Sequence, residues 1–309
     1  GDAAPADPRA LAPLLRVQDF TEFEAAIPAL EASGARTREG WLALPRTLFA
    51  LGVASADDPA LAAGLEAWRR ASPDRWEMEM VSGWRQLLLL HTARADDGSL
   101  DAPEIPEQPD PALRAAARSA FERAQALSPH SPEPGAALLG VAVMEGAPIA
   151  DRLAMLAQAC AVDRVCESAR VVMLTGLDPE HGGNADALLT FARESARAHP
   201  GNPNLGLLVG IAHRKAGAVA GDRSAYFQDP RVVDEVDRAY GGYLAAYPTA
   251  RLHANEYARL ACWAGRRDTA RRTFETIGDA FRAAAWNGDF REFAGRRHWA
   301  LAPDPIAVR

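Results

Sequence analysis

The feature that most constrains this chain is a recurring helical pattern: a compact side chain, an aromatic, another compact side chain, then a helix-ending proline. Its clearest instance is Ala117, Phe121, Ala124 and Pro129. The first three are spaced four and three residues apart, so they share one helical face. Small residues let two helices approach closely, the aromatic fills the space between them, and proline ends the helix because it lacks an amide hydrogen. Leu61, Leu65, Trp68 and Pro73 repeat the spacing, and Gly265, Ala270 and Phe274 supply the turn glycine, packing alanine and groove aromatic of another copy.

Terminating residues fall at Pro73, Pro129, Arg164, Pro200 and Pro248. Two of the intervals approach the roughly 34-residue period of tetratricopeptide hairpins, and two are longer by one insertion each. The pattern predicts an all-α chain, a tetratricopeptide-like helical-hairpin solenoid (an α-α superhelix) with two inserted loops. A proline-rich tail is expected over residues 1–9 and a single helical-repeat domain over 10–309, with the loops near 95–111 and 218–230. Within the domain, two short helices should flank Asp19, and a helix should run from Trp41 to Leu51 with a kink at Pro45. Gly83 and Gly210 stand where paired helices should come closest. A last helix near Phe281 and the tryptophans Trp286 and Trp299 should cap the stack, since an uncapped repeat exposes its apolar face.

Composition excludes several function classes. The formal net charge is −7, and among 34 basic residues Lys215 is the only lysine. Arginines and acids are interspersed, so the basic stripe that a nucleic-acid partner requires is missing. No apolar run is long enough to span a bilayer. The cysteines, Cys160, Cys166 and Cys262, form no repeated spacing and no C-x-x-C. They read as buried core thiols, although Cys160 and Cys166 flank a helix–helix turn where a bridge is geometrically conceivable. Gly1 rather than Met opens the chain, so removal of an upstream segment is expected, whether a signal, a tag or a loose stretch.

Three pieces resemble an uncharacterised bacterial domain-of-unknown-function family with tetratricopeptide-like helices. They are Leu14–Arg16 through Glu31–Arg36; Leu177–Gly183 with Leu188 and Phe191–Arg193; and Asn255–Cys262 with Ala264–Gly265 through Phe274–Gly278. The resemblance implies the same fold and carries no activity.

Chemistry has few places to reside. The loop Asp178-Pro179-Glu180-His181-Gly182-Gly183-Asn184 holds two carboxylates and a histidine that could transfer protons or help bind a metal. The simpler reading is a tight turn shaped by Pro179 and the two glycines. No H-E-x-x-H, nucleophile elbow or P-loop occurs. Trp76, Met80 and Trp84 share a helical face with the register of a core, or of an anchor for a partner helix or peptide. Cys262, beside Trp263, reads as a buried inert thiol.

The expectation is therefore a non-enzymatic protein- or peptide-binding helical-repeat protein, without catalytic, cofactor or metal residues. Its concave groove would be lined by the first helix of each pair. Arg85, His181, Asn204, His213, Asn255 and Arg259 are the candidate groove residues. The alternatives are a metal-dependent hydrolase using the 178–184 loop and a partner that neutralises a toxin or effector. The compartment expected is the cytoplasm, with export after removal of a signal as the alternative.

Overall fold

A computed structural model of the protein describes residues 7, 9–32, 35–88 and 111–303. Among these residues the structure is all-helical, and its one β feature is an isolated bridge between Arg36 and Leu42. In chain order the first helices are α1 (Ala12–Arg16), α2 (Phe20–Ala32), α3 (Ala43–Asp57), α4 (Pro59–Ala71) and α5 (Trp76–Leu88). They are followed by α6 (Pro111–Leu127), α7 (Glu133–Met144), α8 (Ile149–Val162), α9 (Glu167–Gly176) and α10 (Ala185–Ala198). The remaining helices are α11 (Pro203–Val219), α12 (Arg223–Gln228), α13 (Pro230–Ala246), α14 (Arg251–Trp263), α15 (Arg267–Ile277), α16 (Ala283–Trp286) and α17 (Phe290–Leu301). The chain forms two compact units, whose described parts meet along the sequence between Phe191 and Ala192.

Local chemistry sets the boundaries. Asp58, Asn202, Asp222, Asp229 and Asp289 cap α4, α11, α12, α13 and α17 by accepting hydrogen bonds from first-turn amides. Proline occupies the first helical position of α4, α11 and α13, where its missing amide costs nothing. Pro45 is the third residue of α3, in the first turn where its missing amide also costs nothing, so no kink of the kind expected arises inside the helix. Gly265 takes a positive φ of 69° in the turn between α14 and α15, a conformation that carries little penalty without a Cβ.

In the first unit α3 packs on α5, α5 on α6, α6 on α7, and α7 on both α8 and α9. The repeated pattern forms its core: Leu61, Leu65 and Trp68 of α4 and Ala117, Phe121 and Ala124 of α6 are all buried. The Trp68 ring meets Phe23 edge-on at 4.6 Å, and its indole N–H donates to Glu24 at 2.7 Å. Gly83 is the notch that receives Phe121: a Cβ there would sit 2.3 Å from the ring. Met78, off the face shared by Trp76, Met80 and Trp84, is nonetheless buried in this core.

The second unit repeats the device. Gly210 of α11 accepts the Tyr240 ring of α13, where a Cβ would lie 2.6 Å from it. Beyond α13 the chain packs α14 on α15 and α15 on α17. Phe274, Trp286 and Phe293 form an aromatic cluster there, with Trp286 fully buried. The loop expected over 218–230 contains α12, whose Phe227 is buried against Gly217; one inward aromatic and an Asp222 cap suffice to make two turns of helix there. Phe281 precedes α16, and α17 follows it. The loop expected over 95–111 lies outside the described residues except for Pro111, which begins α6.

Candidate functional site

A pocket of about 70 Å³ lies in the first unit and is lined from four helices, α3, α5, α7 and α9. Each contributes two to four residues at helical spacing. Pro45, Arg46 and Phe49 come from α3, Met80 and Trp84 from α5, Glu133, Ala136 and Ala137 from α7, and Glu167, Ser168, Val171 and Val172 from α9. The opposite face of α3, with Leu44, Leu48 and Leu51, belongs to the core. Trp41 joins from the short turn before α3. Gly40, at φ 82°, lets that turn close, and the Thr37 amide donates to the Trp41 carbonyl at 2.8 Å. Phe49 and Trp84 meet edge-on at 5.3 Å, so the aromatic wall is mutually braced.

The polar groups of the pocket are unevenly satisfied. Arg36 donates to both oxygens of Glu167, at 3.0 and 3.1 Å, and also to the Gly40 carbonyl at 2.8 Å. It thereby ties the Trp41 turn to α9. The Arg46 guanidinium lies over the Trp41 ring, 5.4 Å from its centroid. Glu133, only 9% exposed, accepts from Ser168 Oγ at 3.0 Å through Oε1. Burial pushes its carboxyl up to about 7, and the nearby charges of Glu167 and Asp163 push the same way; the Ser168 bond and the Arg46 charge oppose the rise. The pocket thus combines an apolar aromatic wall with one buried acid that changes charge near neutrality.

The α8–α9 turn positions Glu167 and Ser168. Cys160 and Cys166 are bonded across it, with Cα atoms 5.1 Å apart, within the range a disulfide needs. This corrects the expectation of separate core thiols. Asp163 draws the turn tight by accepting from the amides of Val165 and Cys166 at 3.0 and 3.2 Å. Cys166 itself sits at φ 36°, in a left-handed conformation that is unfavourable for a side chain with a Cβ. Reduction of the bond, or replacement of both cysteines by serine, is expected to lower stability by about 2 kcal/mol, given the short loop closed. Equal melting temperatures for reduced and oxidised protein would refute that expectation.

The six residues predicted to line a groove hold varied positions. In the first unit, Arg85 pairs with Glu66 at 3.9 Å, and His181 lies in the 3-10 turn Pro179–His181, its carbonyl accepting from Arg152 at 2.9 Å. In the second unit Asn204, His213, Asn255 and Arg259 are all buried. Asn255 donates to the carbonyls of Arg251 and Ala280 and accepts from the Trp286 indole at 2.9 Å. Arg259 donates to the Ala285 carbonyl and to Glu292, and stacks on Trp263. His213 bridges Tyr226 and Glu235, each at 2.7 Å, while Arg193 also donates to Glu235. Burial lowers the His213 pKa despite the Glu235 bond. The neutral ring then donates through Nε2 to Glu235 and accepts the Tyr226 hydroxyl through Nδ1. In the second unit His213, Asn255 and Arg259 brace their helices against neighbouring elements.

Asp178 in the loop 178–184 is engaged by the loop's own backbone. The Asp178 carboxylate accepts from the Glu180 amide, and its carbonyl accepts from the amides of His181 and Gly183. Gly182 has a φ of 83°, and a Cβ at Gly183 would lie 1.9 Å from the Leu177 carbonyl oxygen. The described residues contain no group of three or more His, Cys, Asp or Glu placed to hold a metal. Cys262 is buried, and burial pushes its thiol up to about 12. No described helix is long and apolar enough to cross a membrane.

Of the pocket residues, periodicity singled out Met80 and Trp84. It missed Trp41, Arg46, Phe49, Glu133, Glu167 and Ser168, because they come from three helices and a turn that only folding brings together. The available signal was Glu133, an acid four residues before Ala137 in α7, whose residues 136–143 are all buried. Compared with known proteins, the chain matches no family model and no curated protein.

Proposed function

We propose that the first unit is a non-catalytic binding module, built as a tetratricopeptide-like stack, that takes a short side-chain anchor of a protein or peptide into the Trp41–Phe49–Trp84 pocket. The observation that carries this reading is the origin of the lining: helices α3, α5, α7 and α9, alternate helices separated in the chain by the intervening α4, α6 and α8, all present side chains to one cavity. An inner layer of alternate helices is what a superhelical stack offers a ligand. An apolar pocket with a few polar groups is the usual form of a binding site. Asp178 and Asn184 of the 178–184 loop cap backbone amides, and no group of three metal-ligating side chains forms among the described residues, which favours binding over metal-dependent hydrolysis as the reading. The Cys160–Cys166 bond supports an oxidising compartment in place of the cytoplasm.

The test is selection from a displayed random-peptide library against the whole protein, followed by Val172→Arg, which fills the pocket from α9. Selected peptides are expected to share one anchor residue and to lose at least tenfold in affinity for the variant. Peptides that bind the variant as well as the parent would place recognition elsewhere.

A further inference from the structure

We propose that the group held in this pocket is an ammonium, a primary or methylated amine on a short apolar stem, bound by Glu133 among the rings of Trp41, Phe49 and Trp84. The proposal rests on the binding-module reading and gives its ligand a chemistry. Glu133 is the group that decides it. Its side chain is nine-tenths buried and lines the cavity, and its one side-chain hydrogen bond among the described residues comes from Ser168 to Oε1. Oε2 has no donor among the described residues, beside an apolar wall where an unpaired charge is costly.

Of the neighbouring cations, Arg46 shares the pocket and its charge acts on Glu133, but neither it nor Arg36 donates a hydrogen bond to that carboxyl among the described residues. Arg36 grips both oxygens of Glu167, and Arg46 lies against the Trp41 face. An anionic ligand would meet two buried carboxyl groups, Glu133 and Glu167. A cation would meet one vacant carboxyl oxygen and electron-rich rings, the combination by which proteins bind substituted ammonium ions. The volume of about 70 Å³ has room for a head group of a few heavy atoms.

Proton linkage supplies an independent signature. The groups facing Glu133 are Ser168 and Glu167 on α9, Asp163 in the turn before it, and Arg46 on α3, with Arg36 behind Glu167. Because the free acid titrates at about 7, a bound cation should draw the proton off it. Affinity for an amine that stays protonated should then rise between pH 6 and pH 8, and affinity for a neutral ligand should not.

Calorimetric titration of the whole oxidised protein at pH 8 tests the proposal with three probes: butylammonium, lysine blocked at both termini, and 1-butanol as the neutral isostere. At least one of the two amines is expected to bind tenfold or more tightly than butanol. Glu133→Gln is expected to erase that margin while leaving butanol unchanged. Binding of the blocked lysine alone would identify the source as a protein side chain, and binding of butylammonium alone would identify a free small amine; both outcomes support ammonium recognition. Equal binding of amines and butanol, or a margin that survives in Glu133→Gln, would overturn the ammonium assignment and leave the pocket as an apolar anchor site. Failure of all three probes to bind would remove the binding-module reading and the proposal with it.

Discussion

Glu133→Gln is expected to make the protein more stable at pH 8, by up to about 3 kcal/mol, and to leave it unchanged or slightly weaker at pH 4. The folded protein holds this carboxyl at about 7, against an ordinary value of 4.5. Between those values the folded state keeps a proton that the unfolded chain has released, so stability falls as pH rises through the interval. At about 1.4 kcal/mol per tenfold, the difference corresponds to the stated magnitude. Glutamine preserves the shape and the carbonyl that accepts from Ser168, and it carries no charge to desolvate. Denaturant titrations of both proteins at pH 4 and pH 8 measure the effect. A variant less stable than the parent at pH 8 would mean that the buried acid is stabilised there by the charges around it. A group that costs a protein stability in its resting state is one that a ligand can repay, and for this reason the result bears on function.

The second large effect is destabilising. Glu256→Ala is expected to cost about 3–5 kcal/mol, because it breaks a buried charged network in the second unit. Glu256 lies on α14, is 5% exposed, and accepts from His253 Nδ1 at 2.9 Å and from the Tyr240 hydroxyl at 3.1 Å. Arg214 of α11 approaches its other oxygen at 3.3 Å. Burial alone would raise this carboxyl; the Arg214 charge and the His253 and Tyr240 hydrogen bonds outweigh it and bring the pKa down to about 2. The sign is opposite to that of Glu133. The contribution of Glu256 is fully present above about pH 4.5 and disappears as pH falls towards 2, so the parent should show an acid-unfolding limb that the variant lacks. A loss of less than 1 kcal/mol, or an acid limb identical in the two proteins, would show that α11, α13 and α14 hold together without this carboxylate.

The helices were largely legible from the chain because their signals are local. Ala117, Phe121 and Ala124 are buried where their spacing put them, and Gly83 and Gly210 receive aromatic rings where close approach was expected. Departures occurred where a contact from afar outweighed the local pattern. The glycine- and serine-bearing stretch before Pro230 holds α12 because Phe227 has an apolar place to go. The pocket was not legible. Its two acids, its arginine and its aromatic wall lie in segments as far apart as Trp41 and Val172, and no short motif joins them.

By itself the sequence determined the helical class, the positions of the caps and stops, and the notches at Gly83 and Gly210, since each depends on residues a few positions apart. Tertiary structure alone decided that Cys160 would meet Cys166, that His213, Asn255 and Arg259 would brace neighbouring elements, and that Glu133 would line an aromatic cavity with one oxygen that no described residue hydrogen-bonds. Those outcomes depend on burial and on charges brought together by packing, and a carboxyl group acquires an unusual affinity for its proton only when the chain has closed around it.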